Sequence, residues 1–213
     1  MDNDHVYMDG IITKMLREQG KKKVRIYIND EFAFSLYPGE IRKLNLDEGM
    51  PLSDNLYQQI NEEVLFKRAV LRAMHLLEKV DRTEFEVRKK LKENEYTPEA
   101  IDHAVNYVKQ YHYLDDERYT KDYIRFKSAK SSKSKITQEL RQKGVNKDLI
   151  TSCMEESSFD ETDLIKKWIR KKYPVMRELE WSEKQKLFAS LYRKGFSTNR
   201  IEKAYSDILL DIT

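Results

Sequence analysis

The amino-acid sequence predicts a mainly α-helical protein, with three tandem three-helix repeat units that form an elongated, curved array behind a small antiparallel β-rich extension. Three observations predict this. One motif recurs at offsets of 49 and 51 residues, a spacing typical of stacked supersecondary units. Charged residues make up 36% of the 213 residues, so the chain needs much surface. The 6 glycines and 4 prolines are few, which favours helices.

The repeated motif is a leucine, then an aromatic or β-branched residue five positions later, a helix-start residue, and an isoleucine four positions further. Its copies are Leu91–Ile101, Leu140–Ile150 and Leu191–Ile201. The apolar positions repeat, whereas the polar positions between them diverge, and only the later two copies contain Lys-Gly. A unit of this size buries little core alone, so neighbouring units are expected to stack.

The first part of the chain differs from the rest. Alternating apolar residues predict a β-hairpin over 23–37 with a turn at Asn29-Asp30, and a preceding strand near 7–17 should pair with it. A short helix is expected over 39–45. Two roles for this extension stay open, a second contact site or a lid on the end of the array. The predicted divisions are the extension over 1–60 and repeats over 61–112, 113–157 and 158–213.

Within each repeat the pattern predicts helix, short helix, helix. Capping residues mark the expected helix starts. In the first repeat Phe66, Val70, Ala73 and Leu77 share one predicted buried stripe. In the second repeat the expected stripe is Tyr119, Tyr123 and Phe126. The predicted start residues are Ser53, Thr83, Thr97, Asp115 or Asp116, Ser134, Asn146, Ser182 and Ser197.

The stretch 121–147 is the best candidate for a functional surface. It contains nine Lys/Arg and only two acidic residues, Asp122 and Glu139. Such a surface gains affinity for a polyanion by releasing counterions. The alternative is an ordinary solvated helix face. The candidate partner- or nucleic-acid-binding residues are Lys121, Arg125, Lys127, Lys130, Lys133, Lys135, Arg141, Lys143 and Lys147.

Other kinds of site are not indicated. The sequence has no nucleophile motif and no phosphate-binding glycine loop, so neither an enzyme nor a cofactor is expected. Asp115-Asp116 is typical of a helix start rather than a metal site. Cys153 is expected in the core and Trp168 and Trp181 in packing contacts. The four histidines lack zinc spacing; they are His5, His75, His103 and His112.

Cellular location can also be predicted. No apolar run approaches the roughly 20 residues needed to cross a bilayer. The acidic, polar start Met1–His5 is unlike a signal peptide, and one cysteine excludes an internal disulfide. These features predict a protein of the reducing cytoplasm.

The ordered set of segments resembles the RecX family of bacterial regulatory proteins, modulators of the recombinase RecA. The resemblance covers roughly residues 64–210. Family members often have a glycine before the short basic helix of the middle repeat, where this chain has Ser131–Lys135; the same helix start is expected because serine caps well. The matching segments are Arg82–Leu91, Tyr113–Tyr119, Tyr123-Ile124, Ile136–Leu140 and Lys143–Val145.

The resemblance implies a non-enzymatic protein that inhibits RecA. It would bind the RecA filament on single-stranded DNA and limit ATP hydrolysis, strand exchange and filament growth, in regulation of DNA repair and the SOS response. Both capping of growth and active disassembly fit. No cofactor, metal or membrane is implied, a monomer is expected, and direct DNA contact stays open.

An alternative function is a DNA-binding architectural or transcriptional regulator that does not act on RecA. The two helices around Gly144 resemble a helix-turn-helix. The second of them, 146–156, ends in Glu155-Glu156, which disfavours its insertion into the major groove.

Overall fold

A computed structural model of the chain describes residues 10–175 and 177–211. The described residues divide into two compact units, the first ending at Asp115 and the second starting at Asp116. The predictions made for Met1–His5 lie outside the described residues. The described part of the chain is mainly helical, with three three-helix units and a small antiparallel sheet, as the sequence predicts.

The first unit begins with a four-stranded antiparallel sheet in the order β3-β2-β1-β4. The predicted hairpin is present, and its turn residues Asn29 and Asp30 have φ of 50° and 68°, as a tight hairpin turn requires. The sequence predicts three strands; the fourth has only two residues, too few to show an alternation. The elements are β1 (Gly10–Leu16), β2 (Val24–Ile28), β3 (Glu31–Leu36), helix α1 (Pro38–Lys43) and β4 (Pro51–Leu52).

The first repeat follows the sheet. Its first helix contains a π-helical segment, Asn61–Leu65, between α2 and α3. The predicted caps Ser53 and Thr97 are confirmed, and Thr83 forms the predicted capping box with Glu86. The helices are α2 (Asp54–Ile60), α3 (Phe66–Lys79), α4 (Glu84–Glu93) and α5 (Pro98–Gln110).

The sheet and the first repeat share one hydrophobic core. Ile26 and Phe34 of the sheet are buried in the same cluster as Leu91 and Val105 of the helices. The predicted stripe of α3 is partly wrong, because Ala69, Ala73 and Leu76 are its buried residues while Phe66, Val70 and Leu77 are only partly buried. Small alanines on that face allow α3 and α5 to pack closely.

The second unit contains the second and third repeats. Two apolar clusters form its core, one around Ile136 and Leu140 and one around Ile165 and Leu191. Phe159 packs against both clusters. The helices are α6 (Asp116–Lys127), α7 (Lys133–Gln142), α8 (Lys147–Glu156), α9 (Glu161–Lys172), α10 (Trp181–Tyr192) and α11 (Thr198–Leu210).

Two predicted helix starts in the second unit are wrong. Helix α7 is capped by Ser132, not Ser134, and α10 by Glu180, not Ser182. In α7 a serine lies at both positions, and only Ser132 is buried with its hydroxyl facing the first turn. In α10 Glu183 hydrogen-bonds back to the Glu180 N–H, a capping box without serine. Asn146 caps α8 as predicted.

Two aromatic residues predicted to pack are exposed. Helix α6 buries Thr120 and Ile124, and Phe126 lies two residues, or roughly 200°, around the helix from Ile124. Phe126 is therefore 71% exposed. Trp181 is 75% exposed because it occupies the first position of α10, before the buried face begins.

The threefold motif is one local structure made three times. In each copy the N–H of the aromatic or β-branched residue donates to the leucine carbonyl, at 3.3, 3.1 and 3.4 Å in chain order. The preceding residue has positive φ: Glu95 at 64°, Gly144 at 78° and Gly195 at 90°. This is the Schellman end of a helix. The next residue starts the third helix of the unit, which explains the fixed spacing.

Candidate interaction surface

The nine candidate cations, here called the basic surface, all lie in the second repeat. Three are on α6, three on α7, and the others border these helices. Acidic side chains neutralise some of these cations but not others. By position they are Lys121, Arg125 and Lys127 on α6, Lys130 after it, Lys133, Lys135 and Arg141 on α7, Lys143 at its end, and Lys147 at the start of α8.

The cations of α6 are paired with carboxylates. Lys121 Nζ lies 2.7 Å from Glu117 and 3.0 Å from Glu156, and these hydrogen bonds raise the pKa of Lys121. Arg125 lies 2.8 Å from Asp122. Such pairs already satisfy their charge, so they offer an incoming anion less than a free cation does.

Lys127 belongs to a tighter group. Its Nζ lies 3.0 Å from Glu139, which also accepts a 2.6 Å hydrogen bond from the Tyr123 hydroxyl. The hydrogen bonds from Tyr123 and Lys127 hold the pKa of the Glu139 carboxyl below its ordinary value. The single acidic residue of α7 is therefore neutralised by α6, which leaves the other charges of α7 uncompensated.

Five cations have no ion pair within the part of the chain that the structure describes. Four of them are exposed, and Lys133 is partly buried with its Nζ 5.6 Å from the Phe159 ring. Lys130 lies 5.8 Å from the Phe126 ring. Three of these cations lie on α7, one lies shortly before it and one lies at the start of α8. They are Lys130, Lys133, Lys135, Arg141 and Lys147.

Aromatic rings lie among these charges. Tyr119 and Tyr123 stack with centroids 5.9 Å apart, and Lys143 Nζ lies 5.7 and 5.9 Å from their centroids. Phe126 continues the same side of α6 in solvent. Tyr119 and Tyr123 are partly buried against the core, so Phe126 is the exposed ring of the three, and an exposed ring beside cations is typical of surfaces that bind a partner protein or unstacked bases.

The start of α7 is held by the third repeat. Ser132 accepts a hydrogen bond from the Lys135 N–H and donates one of 2.7 Å to the Lys194 carbonyl. Glu161, only 4% exposed, accepts 2.6 Å from the Lys133 N–H and pairs with Arg200 at 2.9 Å. A carboxylate at a helix N-terminus is stabilised by the helix dipole. These contacts fix the direction in which α7 presents its cations.

Sequence reasoning missed this anchor. Glu161 and Lys133 are 28 residues apart, so no local pattern connects them. The sequence gives only a weak signal for Glu161. This residue follows the cap residue Asp160 in the first turn of α9, where an acidic residue is common. The Lys-Gly pair of the later two motif copies is visible in the sequence, whereas the contact of its lysine with an aromatic ring is not.

Other sites considered in the sequence have ordinary structural roles. Helix α6 starts at Asp116, as predicted, and Cys153 is buried in the core. Within the described residues no group of His, Cys, Asp or Glu side chains could hold a metal ion. His5 lies outside those residues. No helix in the described ranges combines the length and apolar character needed to span a bilayer.

The proposed recognition helix of the DNA-binding alternative is α8. Its N-cap residue, Asn146, accepts a 2.7 Å hydrogen bond from the Asp148 N–H in the first turn. At the other end Glu156 pairs with Lys121 of α6. The helix therefore uses its polar ends for contacts inside the repeat.

Comparison with protein-family models matches all three repeats. Residues 69–107 match the first three-helix domain of RecX, 115–154 the second and 160–205 the third. Two crystal structures have the same fold. One, of a regulatory protein RecX, has a TM-score of 0.60 and 24% identity, and the match covers 92% of this chain and 99% of that chain. The other, of RecX from Lactobacillus salivarius, has a TM-score of 0.60 and 20% identity, and the match covers 70% of this chain and 98% of that chain.

Similar full-length proteins carry the same name. The regulatory protein RecX of Caldanaerobacter subterraneus is 30% identical over 197 residues, which are 91% of this chain and 98% of the relative. That of Clostridium acetobutylicum is 30% identical over 207 residues, covering 94% and 97%. With three matching domains in the same order and relatives that align almost end to end, the chain belongs to the RecX family of regulatory proteins.

Proposed function

We propose that this protein modulates the recombinase RecA by binding its filament on single-stranded DNA through the unpaired cations around α7. The family name implies a RecA-related regulatory role. The finer proposal is inhibition: the bound protein limits ATP hydrolysis, strand exchange and filament growth, and so regulates DNA repair and the SOS response in the cytoplasm. The monomer acts without a cofactor or catalytic step.

The observation that carries this proposal is the division of the basic surface. Lys121, Arg125 and Lys127 are paired, whereas five cations on or beside α7 have no ion pair among the described residues: Lys130, Lys133, Lys135, Arg141 and Lys147. An unpaired cation gains more from a polyanion because no existing ion pair has to break. The anchor at Ser132 and Glu161 fixes α7 before binding, which lowers the entropy cost of association.

Inhibition follows from differential binding. A regulator that contacts one state of a filament more favourably than another shifts the equilibrium toward that state. Several cations on one repeat also make binding steeply dependent on salt, because each neutralised phosphate releases counterions.

The direct test adds the purified protein to RecA assembled on single-stranded DNA and follows ATP hydrolysis. The expected result is a dose-dependent decrease. No change at several-fold excess over RecA would contradict the proposal. Sequence-selective binding to duplex DNA that survives high salt, with no effect on RecA, would establish the transcriptional alternative instead.

A matched pair of variants tests the assignment to α7. The double substitution Lys135→Gln and Arg141→Gln removes two unpaired charges, and Lys121→Gln with Arg125→Gln removes two paired charges. The first should weaken filament binding and lower the salt slope by about 0.7 for each single-strand phosphate that the variant no longer neutralises. The second should change binding much less. Equal effects would mean that net charge alone matters.

A further inference from the structure

The third repeat contains a small cationic cleft that lies outside the basic surface. It has a volume of about 290 Å3 and lies between α9, α10 and the turn that follows α10. Its walls combine one indole ring, one hydroxyl, two leucines and three lysines. The lining residues are Trp168, Lys171, Lys172, Leu187, Ser190, Leu191 and Lys194.

The three lysines of this cleft have no ion pair among the described residues. Two neighbours on the same helix differ: Lys166 pairs with Asp207 at 3.0 Å and Arg170 with Asp211 at 3.3 Å. These two carboxylates are therefore used by other cations, and no carboxylate lines the cleft. Three uncompensated positive charges around one small volume attract an anion.

The cleft also has a defined geometry. Lys194 Nζ lies 4.0 Å from the centroid of the Trp168 ring, and Lys171 Nζ lies 5.6 Å from it. The backbone of Lys194 is fixed, because its carbonyl accepts the Ser132 hydroxyl at 2.7 Å. The exposed Lys194 side chain starts from this fixed backbone and lies over a partly exposed aromatic ring, a cation–π contact that it can exchange for a bound phosphate.

The second repeat contains the same combination. Lys143 and Lys194 occupy the same position of the repeated motif, directly before its glycine. Lys143 lies 5.9 Å from the centroid of Tyr123, on the first helix of its repeat, just as Lys194 lies over Trp168. The second repeat places a carboxylate, Glu139, beside Tyr123, whereas no carboxylate lines the cleft of the third. The open anion site is therefore in the third repeat.

We propose that the Trp168 cleft binds a nucleotide: Lys171, Lys172 and Lys194 hold its phosphate, and its base replaces the Lys194 ammonium over the indole ring. Among common biological anions, nucleotides carry a flat aromatic group next to each phosphate, which matches lysines placed around a ring. Carboxylate side chains of acidic peptides have no such group. The nucleotide can belong to a single strand or be free; a duplex is excluded because its bases are stacked and paired.

Tryptophan fluorescence of the full chain tests this proposal. Trp181→Phe leaves Trp168 as the single tryptophan, and the exposed position of Trp181 makes that change harmless to packing. Titration with oligothymidylate and, separately, with a nucleoside triphosphate should quench or shift the Trp168 emission. The arm that saturates at lower concentration identifies whether a strand or a free nucleotide is the ligand.

Matched variants assign the signal to the cleft. Lys194→Gln should weaken the affinity roughly fivefold or more, as expected when one hydrogen bond to a charged group is removed. Lys203→Gln, an exposed lysine on α11 outside the cleft, should leave the affinity unchanged. Equal weakening by both variants would overturn the assignment.

Three further outcomes would overturn the proposal. One is no change in emission with either nucleotide ligand. Another is an equal change with polyglutamate, since that would show an anion site without preference for a base. The third is an equal change with a duplex of the same length. Each result is independent of RecA, so failure here leaves the proposed regulation of RecA to its own test.

Discussion

The first copy of the repeated motif and the later two copies end their helices in the same way but use the final residue differently. In the first copy the left-handed residue is Glu95, whose carboxylate accepts hydrogen bonds from Arg25 and, at 2.6 Å, from the Ser35 hydroxyl. In the later copies it is Gly144 or Gly195, preceded by a lysine beside an aromatic ring.

This difference shows how one scaffold serves two purposes. A residue with a side chain at positive φ costs about 1 kcal/mol relative to glycine. At Glu95 contacts with the sheet offset that strain, and the Lys23 ammonium adds a hydrogen bond of 3.1 Å to the Asn94 carbonyl. The first copy therefore fastens the sheet to its repeat. The later copies keep glycine and place a lysine beside an aromatic ring.

The largest effect is expected at Gly195. A Cβ atom there would lie 2.5 Å from the Ser132 Oγ, and φ is 90°. We expect Gly195→Ala to lower the free energy of unfolding by about 2–4 kcal/mol, from left-handed strain and a steric clash together. Gly20→Ala is the control, because Gly20 has φ of 78° and open space around it; about 1 kcal/mol is expected there. Similar decreases in a denaturant titration would exclude the clash.

A smaller decrease is expected at Glu161. Glu161→Ala removes the acceptor of the Lys133 N–H and the partner of Arg200, and should cost about 2 kcal/mol. Glu161→Gln keeps an acceptor for the N–H and should cost less. Hydrogen exchange at the first turn of α7 measures the local effect. Unchanged protection in the alanine variant would mean that Glu161 does not hold α7.

The contact at Glu95 should depend on pH. Burial alone would raise the pKa of Glu95, but hydrogen bonds from Arg25 and Ser35 hold it below the ordinary value. The stabilisation is therefore complete above the unfolded pKa of about 4.3 and disappears as pH falls through the lower folded pKa. Glu95→Gln should destabilise the first unit by about 1 kcal/mol near neutral pH.

Thermal unfolding measured between neutral and acidic pH tests this contact. The difference in unfolding temperature between the wild-type protein and Glu95→Gln should disappear as the solution becomes acidic. Glu93→Gln, which removes an exposed partner of Lys90 on the same helix, is the control and should show little gap at any pH. A constant gap for Glu95→Gln would mean that its charge is unimportant.

The smallest effect on stability is expected at Lys121. Its two ion pairs, with Glu117 and Glu156, lie on the surface of the second repeat, where solvent screens them. Lys121→Gln should leave the unfolding midpoint unchanged. A clear decrease would show that the link between α6 and α8 through Glu156 is structurally important. It would also distinguish the second copy of the motif from the third in the role of its ion pairs.

The sequence by itself determined the helices, their repeat and most of their ends. These features depend on residues two to five positions apart: the capping box at Thr83, the caps at Thr97 and Asn146, and the Schellman motif after each leucine. Locally encoded features are readable in one dimension because the interacting atoms are close along the chain. The wrong start of α7, Ser134 for Ser132, arose where two equivalent residues were close together.

Only the tertiary structure decided which cations of the basic surface are unpaired and which residues fix the helix that carries them. Nine cations look alike in the sequence, but α6 brings Lys127 to Glu139, whereas packing of the third repeat brings Glu161 to the start of α7. Glu95 and Arg25 are 70 residues apart, and their pair joins the sheet to the first repeat. Such contacts depend on how helices pack, because a charge is neutralised by its neighbour in space rather than in sequence.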